Sequence, residues 1–440
     1  MYSNQSIYLM KILKVVILIM AFISLSTTLS TGQDRISPET IGTFFMEIKA
    51  NTDKYKDLWN RDLYGSILLV DPKSRIVYSN YPDTGGILKR DGEIYSGVFP
   101  NNVNIANTAI NWSGKSWAMI MLPLPEDKMG RLDLLSHELF HRSQPALGFV
   151  MDNPSNNHLD QKEGRVYLRL ELEALRQALM AKSNEEQNRS LTNALYFRNH
   201  RYSIYQDAKS SENSLELNEG LATYTGIFMS GRDNDQLEDY FENQISLFLS
   251  FPTFVRSFAY LTTPLYGIIL SKSDKYWNKQ IDSKTNLTDF FVKSFNLSVP
   301  DTLDEEILNQ YGLSKVYIEE TKREERIQQL ISEYKTIFIE QPHLEIRFEK
   351  LSISFDPRNI MPLEEYGTVY PTIRVSDNWG ILTASKGALL SVKWDKITVS
   401  EPTIIEKDKI AGNGWTIELN GGYYVEKNTT DGNYSLKKQQ

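Results

Sequence analysis

Hydrophobic and polar positions along this 440-residue chain change period three times. In "SPETIGTFFMEIKANTDKYKDLWN" the apolar residues Phe44, Phe45 and Ile48 follow Ser37 and Pro38, a helix-start pair, and predict a short helical lead. Next come "GSILLVDPKSRIVYSN" and "INWSGKSWAMIMLPLP", β-branched and apolar runs broken by Asp71-Pro72-Lys73-Ser74 and Ser113-Gly114, which predict two hairpins. From about residue 127 to residue 340 the period is helical. Leu168, Leu172, Leu175 and Leu179 mark one amphipathic helix, and Ile327, Leu330, Ile331, Tyr334, Ile337 and Phe338 another. "FVRSFAYLTTPLYGIIL" reads as a buried helix interrupted at Pro264 and Gly267. Beyond Gln341-Pro342, "LEIRFEKLSISF", "TVYPTIRV", "ALLSVKW" and "GWTIEL" alternate, predicting a small antiparallel β domain that ends in a frayed tail.

The fold class expected is therefore α+β. Residues 31–126 form a helix and β-sheet region, 127–340 a mostly helical zincin-like region, and 341–440 a β domain with its tail. The first thirty residues stand apart. Lys11 and Lys14 precede "VVILIMAFISL" and a small, polar stretch, the pattern of a cleaved secretory signal, too short to span a bilayer comfortably. An exported protein without stable membrane insertion is expected, whether periplasmic, secreted or at the cell surface. Cysteine is absent, which excludes disulfides, thiolate metal sites and lipid attachment to a cysteine. With a net charge of -8 and no basic stripe, nucleic acid is not an expected partner.

The chain has only five histidines, and "RLDLLSHELFHRSQPAL" places two of them four residues apart, with Glu138 directly after the first. On a helix His137 and His141 share a face and can aim both imidazoles at one point, while Glu138 projects beside it. A metal-activated water needs that arrangement: two neutral ligands for the cation and a carboxylate outside the coordination shell to move the proton. Chance order yields His-Glu-x-x-His in fewer than about one such chain in a hundred. Leu132, Leu135 and Leu139 form a separate stripe suited to burial.

Catalytic zinc takes three protein ligands, so a third is required. His158 and His200 lie in polar surroundings typical of solvated or hydrogen-bonded histidines. Glu219, in "LELNEGLATY", sits amid Leu217, Leu221 and Ala222, where a carboxylate must be paired or bound to a cation. Glu216, one turn earlier, is the second choice. Glu171 falls on an apolar stripe and is either a partner to the site or one half of a buried ion pair with Arg165 or Arg198.

"HELFH" followed by "LNEGLATY" resembles the gluzincin zinc metallopeptidases, especially the zinc aminopeptidases, whose metal helix is completed by the Glu of an L-N-E-G-F-A segment. The resemblance implies that His137, His141 and Glu219 ligate Zn2+ and that Glu138 is the general base. Between about residues 60 and 270 the chain also resembles a group of exported bacterial proteins sharing "HELFHR.Q", "LE.EAL" and "EGLA.YTG". In this chain seventy-seven residues separate His141 from Glu219, more than is usual in those aminopeptidases, so a helical excursion must leave the site and return. Thr223 stands where some gluzincins carry an acid that orients a histidine. A hydroxyl or imidazole usually stabilises the oxyanion in that family, and Tyr224, Tyr260 and Tyr266 are candidates, the last two preferred. The strand "SWAMIML" is a candidate edge for pairing with an extended peptide. The expected function is that of an exported zinc metallopeptidase acting on peptides or proteins. Two alternatives share its parts: a non-catalytic metallopeptidase-like surface binding protein, and a zinc hydrolase of a non-peptide amide or ester.

Overall fold

The computed structural model describes residues 36–150, 152–356 and 359–439, and the expected signal segment lies outside them. The chain opens with helix α1 (Pro38–Lys54), whose first turn is capped by the Ser37 hydroxyl accepting from the Thr40 amide. Six strands follow: β1 (Ile67–Val70), β2 (Ile76–Ser79), β3 (Lys89–Asp91), β4 (Ile94–Val98), β5 (Thr108–Trp112) and β6 (Lys115–Met121), in the sheet order β3-β4-β2-β1-β6-β5. β1 pairs antiparallel with β2 and parallel with β6, Leu68 lying opposite Met119. All four β1 residues are buried because both faces of the sheet are covered. Ile67 and Leu69 pack with Ile41, Phe45 and Ile48 of α1, and Leu68 and Val70 with Leu88, Phe99 and Trp117. β6 is thus interior to the sheet, and the edge beside it is β5. The expectation that "SWAMIML" offers a free edge is overturned, because its two sides are taken by β1 and β5.

Leu122 to Asp127 lead directly into helix α2 (Lys128–Leu147), started by the Asp127 carboxylate accepting from the Gly130 amide and ended by Gly148 in the left-handed region. Leu132, Leu135 and Leu139 turn into the core shared with the sheet and α1. The excursion is a hairpin of two helices, α3 (Lys162–Met180) and α4 (Asn184–Ile204), with the Leu168, Leu172, Leu175 and Leu179 stripe buried. It delivers the chain to α5 (Ala208–Leu215), a π-helical turn over Glu216–Gly220, and α6 (Leu221–Ser230), which lies on α2. Helices α7 (Asn234–Leu249), α8 (Ala259–Ser271), α9 (Leu287–Ser294), α10 (Glu305–Gln310) and α11 (Leu313–Lys335) complete the helical layer. α8 runs without a break through Pro264, contrary to the interruption expected there. Gly267 within it lets the helix meet Tyr224 and Trp277 closely.

One close approach governs the α2–α6 pairing. A Cβ built on Gly226 would lie 2.4 Å from Asp133 Oδ1 and 2.5 Å from the Asp133 backbone carbonyl oxygen. Any side chain there forces the two helices apart.

From His343 onward the chain forms a seven-stranded and a six-stranded sheet, packed around Leu344, Ile346, Val375, Leu382, Ile397, Trp415 and Ile417. The α+β class holds, with antiparallel C-terminal sheets throughout except where Tyr434–Lys438 pairs parallel to His343–Arg347. That pairing corrects the expected frayed tail: Tyr434 to Lys438 also hydrogen-bond antiparallel to Tyr423–Lys427, and Tyr434 enters the core. The sandwich contacts the rest of the molecule at several places, among them the end of α11 and the turn after it, where Ile331, Tyr334 and Phe338 pack on Leu363, Val369 and Leu389 and Lys335 pairs with Glu364. Arg374 donates to Asn104 and to the Asn101 carbonyl, and Ser376 to the Asn102 carbonyl, in the loop before β5. Val255, just before α8, buries itself in the sandwich core.

Gly226→Ala is expected to lower unfolding free energy by about 1–3 kcal/mol through overpacking. Gly421→Ala, where a Cβ meets open space, should be near neutral by comparison. Denaturant midpoints of the two variants check this, and equal midpoints contradict it.

Candidate metal centre

Three residues of α2 face three residues of the π turn and α6 in antiparallel order. Asp133 meets Gly226, His137 meets Thr223, and His141 meets Glu219. The helical spacing on each side, i, i+4, i+8 against i, i+4, i+7, keeps both rows on facing surfaces. The Gly226 contact at one end therefore sets the closeness of Glu219 to the imidazoles at the other.

His137 Nε2 lies 3.0 Å from His141 Nε2, and Glu219 Oε2 lies 3.2 Å from His141 Nε2 and 3.8 Å from His137 Nε2. A ligand atom from each residue falls within 4.8 Å of the others, a group that could hold a metal ion. Two imidazole nitrogens and one carboxylate oxygen match the donor set and number of a catalytic zinc site. The outer face of each ligand is held by a second hydrogen bond. His141 Nδ1 is 2.7 Å from Gln144 Oε1, and Gln144 Nε2 donates to the Asn218 carbonyl at 2.9 Å, tying α2 to the π turn. The Thr223 hydroxyl is 3.3 Å from His137 Nδ1, so a neutral hydroxyl occupies the place of the orienting acid.

Glu219 and Glu216 do not converge on one site. A π turn widens the helical repeat, so residues three apart no longer share a face. The Leu221 amide bonds back to the Glu216 carbonyl, and the two carboxylates point to different partners. Glu216 accepts from Arg198 Nη2 at 2.8 Å and from the Thr262 hydroxyl at 2.5 Å, in a buried network with Glu171, Arg201 and Glu212. Its expectation as an alternative ligand is overturned by that pairing. Glu171 receives Arg198 Nε at 2.6 Å and Arg201 Nη2 at 2.9 Å, so it is an ion-pair member, and Arg165 turns instead to Glu320. His158 bonds Glu212 Oε1 at 2.7 Å, and His200 stacks between Tyr167 and Tyr196.

The tyrosines separate as well. Tyr260 stacks on His137, ring planes 9° apart, and its hydroxyl donates to Glu219 Oε2 at 2.7 Å. Tyr266 is fully buried and donates to Glu171 Oε1 at 3.1 Å, within the Arg198 network and not among the three ligands. Its expected oxyanion role is thereby displaced: α8 carries Tyr260 and Tyr266 on different faces. Tyr224 is buried against Trp277.

Glu138 Oε2 is buried without a hydrogen-bond partner, on the same helix as the two imidazoles. Burial pushes the Glu138 carboxyl up to about 8, with a smaller contribution from the Glu219 charge. Glu219 moves the other way: its burial is outweighed by His141 and His137, which hold it well below the usual carboxylate range. Burial, reinforced by His141, drives the His137 imidazole down to about 3. Burial also opposes charge on His141, but the nearer Glu219 carboxylate outweighs it and raises that imidazole to about 9. One proton is thus held by the pair, on the ring closest to Glu219.

The chain matches no family model, no curated protein and no solved structure. What the site can do is read from its own atoms.

Sequence reasoning missed two contributors. Gln144 lies three residues after His141, a spacing that could have marked it. Arg256, whose Nη2 stands 3.7 Å from Glu219 Oε1, comes from a segment with no local signal.

The proton on His141 must leave before that ring can ligate a cation, so metal affinity should rise with pH up to about 9. At pH 7, calorimetric titration with zinc in buffers of different ionisation enthalpy is expected to show release of about one to two protons, from His141 and Glu138. In the metal-free chain, histidine resonances should place His141 near 9, and Glu219→Gln should lower it toward 6.5. A His141 titration unchanged by Glu219→Gln contradicts the pairing. The sign for stability follows: the charged His141 contribution is complete below its unfolded value of 6.5 and is lost as pH rises through about 9.

Proposed function

We propose that this chain is an exported zinc-dependent hydrolase, a metallopeptidase in which Glu138 moves the proton. The observation that carries the reading is the Glu138 carboxylate, buried and unpartnered at Oε2 beside the converged His137, His141 and Glu219. A buried carboxyl without a partner is costly for folding, and a protein tolerates it where a ligand or a reaction uses it. Burial raises that carboxyl in the metal-free chain, and a cation held beside it would favour the carboxylate form that accepts a proton.

His137, His141 and Glu219 would hold the zinc ion, with Gln144 and Thr223 fixing the two rings. Zinc in such a site supplies Lewis acidity, which makes water a competent nucleophile near neutral pH and polarises a carbonyl. Glu138 removes the proton of the attacking water and delivers it to the leaving amine. Tyr260 spends its single O–H on Glu219 and so keeps that carboxylate oriented; to donate to a developing oxyanion the hydroxyl would have to turn away from Glu219.

A peptide substrate is supported by the sheet. β5 is the last strand of its sheet and packs against α2, so its outer edge offers unpaired backbone groups to an extended chain. Export rests on the leader-like residues 1–30. Among the described residues no helix is long and apolar enough to cross a membrane.

The purified full chain is expected to bind zinc one to one and to cleave members of a peptide library in a chelator-sensitive way. Glu138→Gln should keep the zinc and lose turnover by at least about a hundredfold, the usual scale for a general base. His137→Ala should lose the zinc. Absence of stoichiometric zinc in the wild type rejects the site. Bound zinc with no cleavage of peptides, amides or esters supports instead a metal-holding binding protein.

A further inference from the structure

Two arginines near the π turn differ in how fully they are used. Arg198 spends Nε, Nη1 and Nη2 on carboxylates at 2.6, 3.0 and 2.8 Å and is fully buried. Arg256 does not. Its Nη2 donates to Asn153 Oδ1 at 3.0 Å, its Nε is buried with no hydrogen-bond partner, and the Glu219 carboxylate stands at 3.7 Å, beyond hydrogen-bond length. The side chain keeps 16% of its surface open to solvent.

The guanidinium is nevertheless held in place. Asn153 Oδ1 also accepts from Asn218 Nδ2 at 2.9 Å, which links Arg256 to the π turn that carries Glu219. Val255, the preceding residue, is buried in the sandwich core together with Tyr370, and the Tyr370 hydroxyl feels the Arg256 charge. Nε is out of a ligand's reach, but Nη1 makes no hydrogen bond and Nη2 keeps a second N–H beyond the one on Asn153, and a planar fork held in this way can bind a carboxylate through two parallel hydrogen bonds from its Nη1–Nη2 end. Glu219 does not fill the fork: its Oε2 faces Tyr260 and His141, and its Oε1 pairs with Arg256 only at 3.7 Å, without a hydrogen bond.

We propose that Arg256 forms a carboxylate-binding subsite beside the metal centre, so that favoured substrates carry a carboxylate on the residue adjoining the scissile bond. This rests on the hydrolase reading for its place in a reaction, but the subsite itself is a property of Arg256. The carboxylate can be a free chain terminus or an acidic side chain. Both present the same two oxygens to the fork.

The test uses the full chain carrying Glu138→Gln, so that binding is read without turnover. Three probes are titrated calorimetrically: N-acetyl-Ala-Phe-Ala with a free C-terminal carboxylate, the same peptide as its amide, and the amide with Glu in place of the last Ala. At least one carboxylate probe should bind about tenfold more tightly than the plain amide, the scale of a charge-assisted bidentate contact. Which of the two does so separates terminus from side chain. Arg256→Gln should erase the difference, and Arg256→Lys should retain part of it as a point charge. Equal affinity for all three probes, including no binding of any at ~1 mM, overturns the subsite. So does a preference that survives Arg256→Gln. Zinc measured in the same samples keeps the two readings apart. Zinc present without a carboxylate preference removes the subsite alone. Zinc absent removes the hydrolase reading, and the probe comparison on the zinc-free chain still decides the subsite.

Discussion

The side-chain-free contact between Gly226 and Asp133 is the constraint on which the site depends. Two helices distant in sequence must approach closely enough for an imidazole and a carboxylate to share a cation. Side chains at a helix crossing normally hold the axes about 8–10 Å apart, according to their size. Glycine at the crossing lets α6 settle onto the backbone of α2, and seven residues before it Glu219 comes within 3.2 Å of His141. Gly220 makes a second close approach, toward Thr263 and the Ala259 carbonyl of α8, so the π turn is gripped from both sides.

Behind the ligands lies a layer of buried charge. Arg198 and Arg201 bridge Glu171, Glu212 and Glu216, all with no exposed side-chain surface. Such a network contributes little net stability against an apolar alternative, but loss of one partner leaves an uncompensated buried charge and costs about 3–5 kcal/mol. Its effect is on geometry. α3, α4, α5 and the π turn are joined through carboxylates that accept only one arrangement, so the long excursion returns Glu219 to a fixed position. The same network takes up Glu216 and Tyr266, while Glu219, bonded to Tyr260, joins the two imidazoles of the candidate metal site.

The C-terminal sandwich belongs to this picture through two of its attachments. It holds the loop preceding the edge strand β5 and, through Val255, the segment bearing Arg256. The edge strand and the Arg256 segment are thus both joined to the β unit. The two helices and the sandwich together give the site its ligands, its edge and its cation.

Much was legible in the sequence because it depends on local periodicity. The start of α1 at Ser37, the α2 face bearing His137 and His141, the β1–β2 and β5–β6 hairpins, and the buried Leu168 to Leu179 stripe follow from spacing and turn chemistry. Glu219 was legible as an acid among apolar neighbours, which must find a partner. What spacing could not settle was decided by neighbours in space. A π turn, invisible in the residue pattern, sent Glu216 and Glu219 to different faces. β6 became interior because β1 paired with its other side, the chain end became a strand because it found His343–Arg347 beside it, and Pro264 was absorbed into a continuous buried helix. Arg256 reached the site only because the sandwich anchors Val255. Local pattern by itself determined most of the elements and singled out His137, His141 and Glu219 as a candidate ligand set. The tertiary structure alone decided their partners, because hydrogen bonds and ion pairs are set by distances between segments that the chain order leaves free.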